Sequence, residues 1–269
     1  TGLFVGGNRG ISDLVVENVK VNAPNGTENA VGIVSSDANA LITNVTVRNS
    51  SVTGGKYTGA IVGYNYGSVT NCKVQNCTVS GRYKVGGIIG YICNSNDVPT
   101  YVTNNSLTNV AVKGENLVAG KAKFVIGKIV GNWNATVGEC SNNTFSGTTD
   151  ATGDIGEIES RCIVTVNGVT HVMVTPETIP SPFQANTTYL FTAGNYGEQH
   201  FVITDRENVT LIGQSGAKFD SLQISSIDYV NSEHNQAVDL GNSTLTVKGF
   251  NVSKTLMIVV SDKNVVVTD

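Results

Sequence analysis

Apolar and polar residues alternate over short stretches of this chain, which is typical of β-strands. The alternation slips by one residue at a recurring asparagine: apolar side chains mostly stand four and two residues before it and one and three residues after it. In a continuous strand the side chains keep alternating between the two faces, so a slip by one residue means that the chain bends there. Asparagine tolerates the left-handed backbone of a tight corner. The copies are Asn18, Asn49, Asn76 and Asn109, with Asn142 as a degraded fifth.

A third apolar run precedes each pair of short strands around the asparagine, as at Ile61-Val62 and Ile88-Ile89, and glycine or serine ends this run. Three short strands in a repeat of about 27 to 33 residues predict stacked coils. Since connections between parallel strands are right-handed, the fold class predicted is all-β, a right-handed parallel β-helix. A hydrogen-bonded ladder of corner asparagines is expected along it. The alternative, a β-sandwich of hairpins, predicts frequent turns but no long repeat.

Residues 59–72 read Gly-Ala-Ile-Val-Gly-Tyr-Asn-Tyr-Gly-Ser-Val-Thr-Asn-Cys. This phrase resembles the GLUG repeat of bacterial surface proteins, and a second good copy runs from Gly2 to Ile11. The resemblance extends over roughly residues 1–147. It implies an exported, often adhesin-like bacterial protein and no catalytic residue. The matching positions in the better copy are Gly63, Asn65, Gly67, Val69, Asn71 and Cys72.

The repeat ends near residue 148, and a different organisation follows. Residues 162–174 alternate around Asn167-Gly168, a strong hairpin signal, and residues 175–188 contain three prolines and suggest a linker. The Val-Thr-Leu-Ile-Gly run at 209–213 resembles the opening coils of pectin-lyase-like β-helices. The predicted domains are a GLUG-type β-helix at 1–160, a hairpin and linker at 161–188, and a second, truncated β-helical segment at 189–269.

Composition narrows the classes of partner. Charged residues make up 14% of the chain, the net charge is −4, and no cluster of lysine and arginine occurs. This argues against nucleic acid and anionic membranes as partners. No stretch is long and apolar enough to be a transmembrane segment. There is no signal peptide and both ends fall within repeats, so we expect a fragment of a longer exported protein, extracellular or at the cell surface, with signal and anchor cut off.

The pattern of residues gives little indication of a catalytic site or of a site for a cofactor. Glycoside hydrolysis needs two carboxylates at a set separation, yet acids are sparse in the first half and the densest later group, Asp228 to Asp239, suggests a polar loop. The three histidines stand far apart, so no metal site and no cofactor are expected. Cys72, Cys77 and Cys140 take inward positions of the repeat and are interpreted as small core residues. We therefore expect no enzyme.

Aromatic residues are the better candidates for function. Tyr64 and Tyr91 occupy one repeat position, Tyr57 and Tyr83 precede the same strand beside a lysine, and Trp133 follows the equivalent glycine. Equivalent positions one coil apart lie about 4.7–4.9 Å from each other, so these rings should form a ridge suited to sugar rings or to a protein partner. The alternative is that they merely cap the coils. The candidate ligand-binding residues are Tyr57, Tyr64, Tyr66, Tyr83, Tyr91 and Trp133.

Three functions from different classes follow from these patterns. The favoured one is a non-catalytic cell-surface or adhesin-type module that binds a host or environmental glycan or protein along the aromatic edge. A structural stalk that displays another domain is the second. The third is a fragment of a carbohydrate-active enzyme, of the polysaccharide lyase or glycosidase type, completed by coils outside this chain.

Overall fold

A computed structural model describes most of the chain, and every regular element in it is a β-strand, as the sequence predicts. Two compact units are present, Thr1–Asn167 and Gly168–Asp269, here called unit 1 and unit 2. The sequence predicts domain boundaries at residues 160 and 188, whereas the two compact units divide between residues 167 and 168. The described residues are 2–4, 10–23, 30–38, 41–94, 98–115, 117, 119–121, 123–159, 162–203, 208–225, 244–259 and 264–268.

Unit 1 contains twenty short strands in its described part. They are β1 (Ile11–Glu17), β2 (Lys20–Asn22), β3 (Ala30–Gly32), β4 (Ser35–Ala38), β5 (Ile42–Arg48), β6 (Ser51–Gly54), β7 (Tyr57–Gly59), β8 (Val62–Asn65), β9 (Val69–Thr70), β10 (Lys73–Gly81), β11 (Lys84–Gly86), β12 (Ile89–Asn94), β13 (Thr100–Thr103), β14 (Ser106–Gly114), β15 (Val125–Gly127), β16 (Val130–Ala135), β17 (Val137–Ser141), β18 (Thr144–Thr149), β19 (Ile155–Ile158) and β20 (Ile163–Val166).

Unit 2 continues with eight strands in its described part. They are β21 (Val169–Val174), β22 (Thr187–Phe191), β23 (Gly194–Val202), β24 (Val209–Gly213), β25 (Ala217–Ser225), β26 (Thr244–Lys248), β27 (Asn251–Val259) and β28 (Asn264–Thr268).

Equivalent strands of successive coils pair in parallel in unit 1, so the predicted parallel β-helix is confirmed. Ile42 of β5, for example, lies opposite Ile11 of the preceding coil and Val69 of the following one. The first sheet contains the strands on both sides of the corner asparagines. The second sheet runs β15-β11-β7-β3 and the third runs β19-β16-β12-β8-β4.

The corner asparagines adopt the predicted conformation. Asn109 Nδ2 donates to Asn76 Oδ1 at 3.0 Å, and Asn76 Nδ2 donates to Asn49 Oδ1 at 3.1 Å. The expected ladder is therefore present over these three coils. Positive φ values are found at Asn18 (58°), Asn49 (50°), Asn76 (52°), Asn109 (53°) and Asn142 (54°).

A second column of corner residues was not recognised from the sequence. It lies five residues before the first, and its members again have positive φ: Asp13, Asn44, Asn71 and Asn104. Asn44 Nδ2 donates to Asp13 Oδ1 at 2.6 Å. Each coil thus turns twice through the left-handed region, on either side of the four residues 72–75 or their equivalents.

The glycines that close the third apolar run serve a purpose other than the bend expected from the sequence. An added Cβ at Gly90 of the third sheet would lie 2.6 Å from the backbone carbon of Tyr57, and one at Gly59 of the second sheet would lie 2.8 Å from that of Ile88. The two sheets therefore meet backbone to backbone, which only glycine allows. We call this seam, formed by Gly59, Gly86, Gly63 and Gly90, the glycine crease.

Valine and isoleucine fill the interior of unit 1, together with four cysteines, of which Cys162 is the one that the sequence analysis did not assign to the core. Cys72, Cys77 and Cys140 are buried, free thiols, which confirms their interpretation as small core residues. Burial raises the pKa of Cys72 to about 11. These thiols are consequently neutral, apolar contributors at ordinary pH.

Unit 2 is built on two parallel sheets, β21-β22-β24-β26-β28 and β23-β25-β27. Leu245 lies opposite Val265, as their spacing predicts. The core of unit 2 contains a group of aromatic rings, in which Phe191 contacts Phe201 and Phe219 at centroid distances of 5.3 and 5.9 Å. The backbone of Asn167 and Gly168 has positive φ at both residues, as in a type I′ turn.

Candidate functional site

Tyr57 and Tyr64 flank the glycine crease on the outside of unit 1. Tyr57 is the first residue of β7 in the second sheet, and Tyr64 lies on β8 in the third. Because the two sheets approach so closely at the crease, side chains on either side of it converge. The centroids of these two rings are 5.6 Å apart.

Four tyrosines form one surface, which we call the tyrosine cluster: Tyr57, Tyr64, Tyr66 and Tyr91. Tyr64 stacks on Tyr91 at 4.9 Å with an interplanar angle of 24°, as expected for equivalent residues of adjacent coils. Tyr57 lies 4.8 Å from Tyr91 and Tyr66 lies 4.9 Å from Tyr64. Tyr66 is 41% exposed, whereas the other three rings are half-buried. The cluster thus presents one free ring beside a packed aromatic base.

Tyr83 stands beside the cluster, because Lys84 and not Tyr83 lies opposite Tyr57 in the sheet register. The Lys84 Nζ is 4.8 Å from the centroid of Tyr91 and 5.5 Å from that of Tyr83. Lys121 Nζ lies 4.8 Å from the Tyr83 ring. These are cation–π distances, and they connect Tyr83 to the cluster through Lys84.

Trp133 does not belong to this surface. Its neighbour Asn132 lies opposite Tyr91, while Trp133 lies opposite the buried Ile92 and is fully buried itself. The indole N–H donates to the carbonyl oxygen of Ala135 at 3.0 Å. Successive side chains of a strand point to opposite faces. Trp133 is one residue beyond the position opposite Tyr91, so its ring lies in the core.

A polar rim adjoins the cluster at the next coils. Lys84 Nζ is 2.9 Å from Glu159 Oε1 and 4.0 Å from Glu157 Oε2. Asn132 Nδ2 donates to Glu157 Oε2 at 3.0 Å, and Asn134 Nδ2 donates to the Tyr91 hydroxyl at 2.5 Å. Carboxylate, amide and ammonium groups therefore surround the aromatic rings, and residue spacing alone did not reveal the two glutamates.

The hydroxyls of Tyr64, Tyr83 and Tyr91 are held in their neutral form. Burial raises the pKa of Tyr91 to about 12, against the opposing hydrogen bond from Asn134. Burial also raises the pKa of Tyr64, and hydrogen bonds with Tyr66 and Cys93 act in the same direction. For Tyr83, burial and the charges of Glu157 and Glu159 raise the pKa. These phenols can donate and accept hydrogen bonds across the physiological range.

Acidic and histidine side chains elsewhere do not converge within the described residues. Asp13 bonds to Asn44, and the His200 ring contacts the Ser225 hydroxyl at 2.8 Å. In the described ranges no three His, Cys, Asp or Glu side chains are grouped so as to hold a metal. The segment Asp228 to Asp239 lies outside the described residues.

Two shallow grooves were not foreseen from the sequence. One, of about 390 Å³, is lined by Glu198, His200, Gln223 and Met257 among others in unit 2. The other, of about 540 Å³, follows the asparagine corner of unit 1. Neither brings aromatic rings to the surface.

Comparison with known proteins gives one match. A family model described as the GLUG motif matches residues 54–82, and this motif occurs in bacterial surface-type proteins. The matched segment includes three members of the tyrosine cluster, Tyr57, Tyr64 and Tyr66. No curated protein and no solved structure matches the chain, and the resemblance of the second half to pectin-lyase-like β-helices stays a prediction. No helix in the described part of the chain has the length and hydropathy needed to cross a bilayer.

Proposed function

We propose that this chain is a non-catalytic surface module of an exported bacterial protein, and that the tyrosine cluster binds a glycan. The observation that carries the proposal is the arrangement of four tyrosine rings at centroid distances of 4.8 to 5.6 Å on one outer edge. The match to a motif of surface-type proteins supports the extracellular location.

The chemistry of the cluster suits a sugar ring. A pyranose has an apolar face that stacks on an aromatic ring and hydroxyls that need hydrogen-bond partners at the rim. Tyr66 offers an exposed ring, and beside it Tyr64 and Tyr91 form a stacked pair. Asn134 and Glu157 provide amide and carboxylate groups within the same rim.

Screening on a glycan array followed by calorimetry with the best ligand tests this proposal. Tyr66→Ala should weaken binding about tenfold, because loss of one stacking ring costs about 1.4 kcal/mol. Tyr101→Ala is the matched control, since Tyr101 is 44% exposed and lies on β13, outside the cluster. Its affinity should equal that of the unmodified chain.

Two results would contradict the glycan proposal. One is the absence of binding to any glycan by the folded chain; the other is binding that survives both Tyr66→Ala and Tyr64→Ala. In either case a protein partner or a structural stalk becomes the better explanation for the exposed ring. Measurable cleavage of a polysaccharide by the chain alone would contradict the non-catalytic part.

A further inference from the structure

Lys84, Asn132 and Glu157 meet beside the tyrosine cluster in an arrangement that salt bridging alone does not explain. Glu157 Oε2 accepts a hydrogen bond from Asn132 Nδ2 at 3.0 Å and lies 4.0 Å from Lys84 Nζ. Only 9% of the Lys84 side chain is exposed, and Asn132 is fully buried. One carboxylate therefore contacts both a buried amine and a buried carboxamide.

The sheet register places the lysine and the asparagine next to each other. Lys84 occupies the position of Tyr57 one coil on, and Asn132 occupies that of Tyr91. Tyr57 and Tyr91 face each other across the glycine crease at 4.8 Å. The same seam continues at Gly131, where an added Cβ would lie 2.7 Å from the backbone nitrogen of Val85. Lys84 and Asn132 are thus the next pair across the crease.

The surroundings favour chemistry between them. Two tyrosine rings, Tyr83 and Tyr91, lie over the Lys84 ammonium. The carboxamide oxygen of Asn132 is buried and has no hydrogen-bond partner among the described residues. A buried carbonyl oxygen without a donor is costly to the fold.

We propose that Lys84 and Asn132 form an intramolecular isopeptide bond, with Glu157 transferring the protons. The Glu157 carboxylate takes a proton from Nζ, and the neutral amine attacks Cγ of Asn132. Glu157 then protonates Nδ2, takes one of the two protons left on Nζ as the Cγ–Nδ2 bond breaks, and passes that proton to the departing ammonia, so that Nζ keeps the single N–H of the new amide and Glu157 is again a carboxylate. Overall, an ammonium and a primary amide give a secondary amide and an ammonium ion, so no oxidant or reductant is required.

Glu159 has a separate part in this arrangement. It lies 2.9 Å from Nζ, nearer than Glu157, and holds the lysine at the crease before reaction. Its contact is with the lysine, whereas the Asn132 amide donates to Glu157, so Glu159 is a positioning residue. The product would join two neighbouring coils covalently through side chains, and a cross-link of this kind restricts the unfolded chain.

Intact-mass spectrometry of the folded chain tests the proposal directly. We expect a mass lower by one ammonia than the sequence requires, and peptide mapping should recover the Lys84 and Asn132 peptides as one branched species. Glu157→Ala should leave most of the chain unlinked. Lys56→Arg is the matched control, because Lys56 lies beside Tyr57 but has no part in the reaction.

Loss of ammonia can also arise from a succinimide at an asparagine, and Lys84→Arg separates the two. The arginine retains the charge, so the isopeptide should disappear while a succinimide would persist. A full-length mass equal to that of the sequence, in a chain with the circular dichroism of a folded β-protein, would overturn the proposal. Ammonia loss that persists in Lys84→Arg would overturn it equally.

Discussion

At the scale of single residues, glycine and asparagine determine each coil for different physical reasons. The corner asparagines have positive φ, which their short polar side chains tolerate. The crease glycines are not in that region; they are required because backbone of another strand occupies the space of a Cβ. The first role is visible in the sequence, because the alternation of apolar residues slips by one at Asn76. The second role could not be predicted, since a glycine that recurs once in each coil has the same pattern in the sequence whether it forms a bend or allows two strands to approach closely.

Gly90→Ala tests the crease. The new Cβ would collide with rigid backbone at Thr58 and Tyr57, so we expect the free energy of unfolding to fall by about 3 kcal/mol. Gly153→Ala is the control, because its nearest neighbour would be 3.5 Å away and its effect should stay within about 0.5 kcal/mol. Chemical denaturation followed by circular dichroism measures both. Equal stabilities for the two variants would show that the crease is not tight.

The free energy of unfolding should fall at high pH because of the tyrosine cluster. Burial raises the pKa of Tyr91 from its ordinary 10.0 to about 12. The contribution of the neutral phenol is thus complete below pH 10 and is lost as pH rises towards about 12. In Tyr91→Phe the decline of unfolding free energy across this window should be shallower. An identical decline in both proteins, measured by denaturation at a series of pH values, would contradict this assignment.

At the scale of elements, the asparagine ladder and the sheet register determine which side chains become neighbours. The sequence spacing predicted the pairing of Tyr64 with Tyr91 because both follow a glycine after the same apolar run. It misplaced Tyr83 and Trp133, since each differs by one residue from the register that hydrogen bonding selects. A shift of one position in a strand reverses the side chain's direction. Composition gives no signal for such a shift.

Asn76 stabilises its corner in two ways that substitutions can separate. Asn76→Ala removes both ladder bonds and places a Cβ residue without a compensating amide at φ 52°, which should cost about 2 kcal/mol. Asn76→Gly removes the bonds but tolerates the backbone, and should cost about 1 kcal/mol. Thermal and urea unfolding give both values. If the glycine variant were as unstable as the alanine variant, backbone strain would not contribute.

At the scale of the whole molecule, each unit has a core of a different kind. Unit 1 stacks valine, isoleucine and cysteine in columns, one set in each coil. Unit 2 relies on a few large rings around Phe191, with Tyr196, Phe219 and Phe250 among its contacts. The repeat made the first core predictable. The second was not predicted, because its aromatic residues come from segments of unequal length without a common period.

Because of this difference, the loss of a single aromatic side chain should strongly destabilise unit 2. Phe191→Ala would remove a fully buried ring with four aromatic neighbours, which should cost about 3–5 kcal/mol. Amide hydrogen exchange should report the loss in β22, β23 and β25. Met257→Ala is the control, since Met257 is 42% exposed and its removal should leave protection in these strands unchanged. Undiminished protection in Phe191→Ala would mean that the ring cluster does not determine the stability of unit 2.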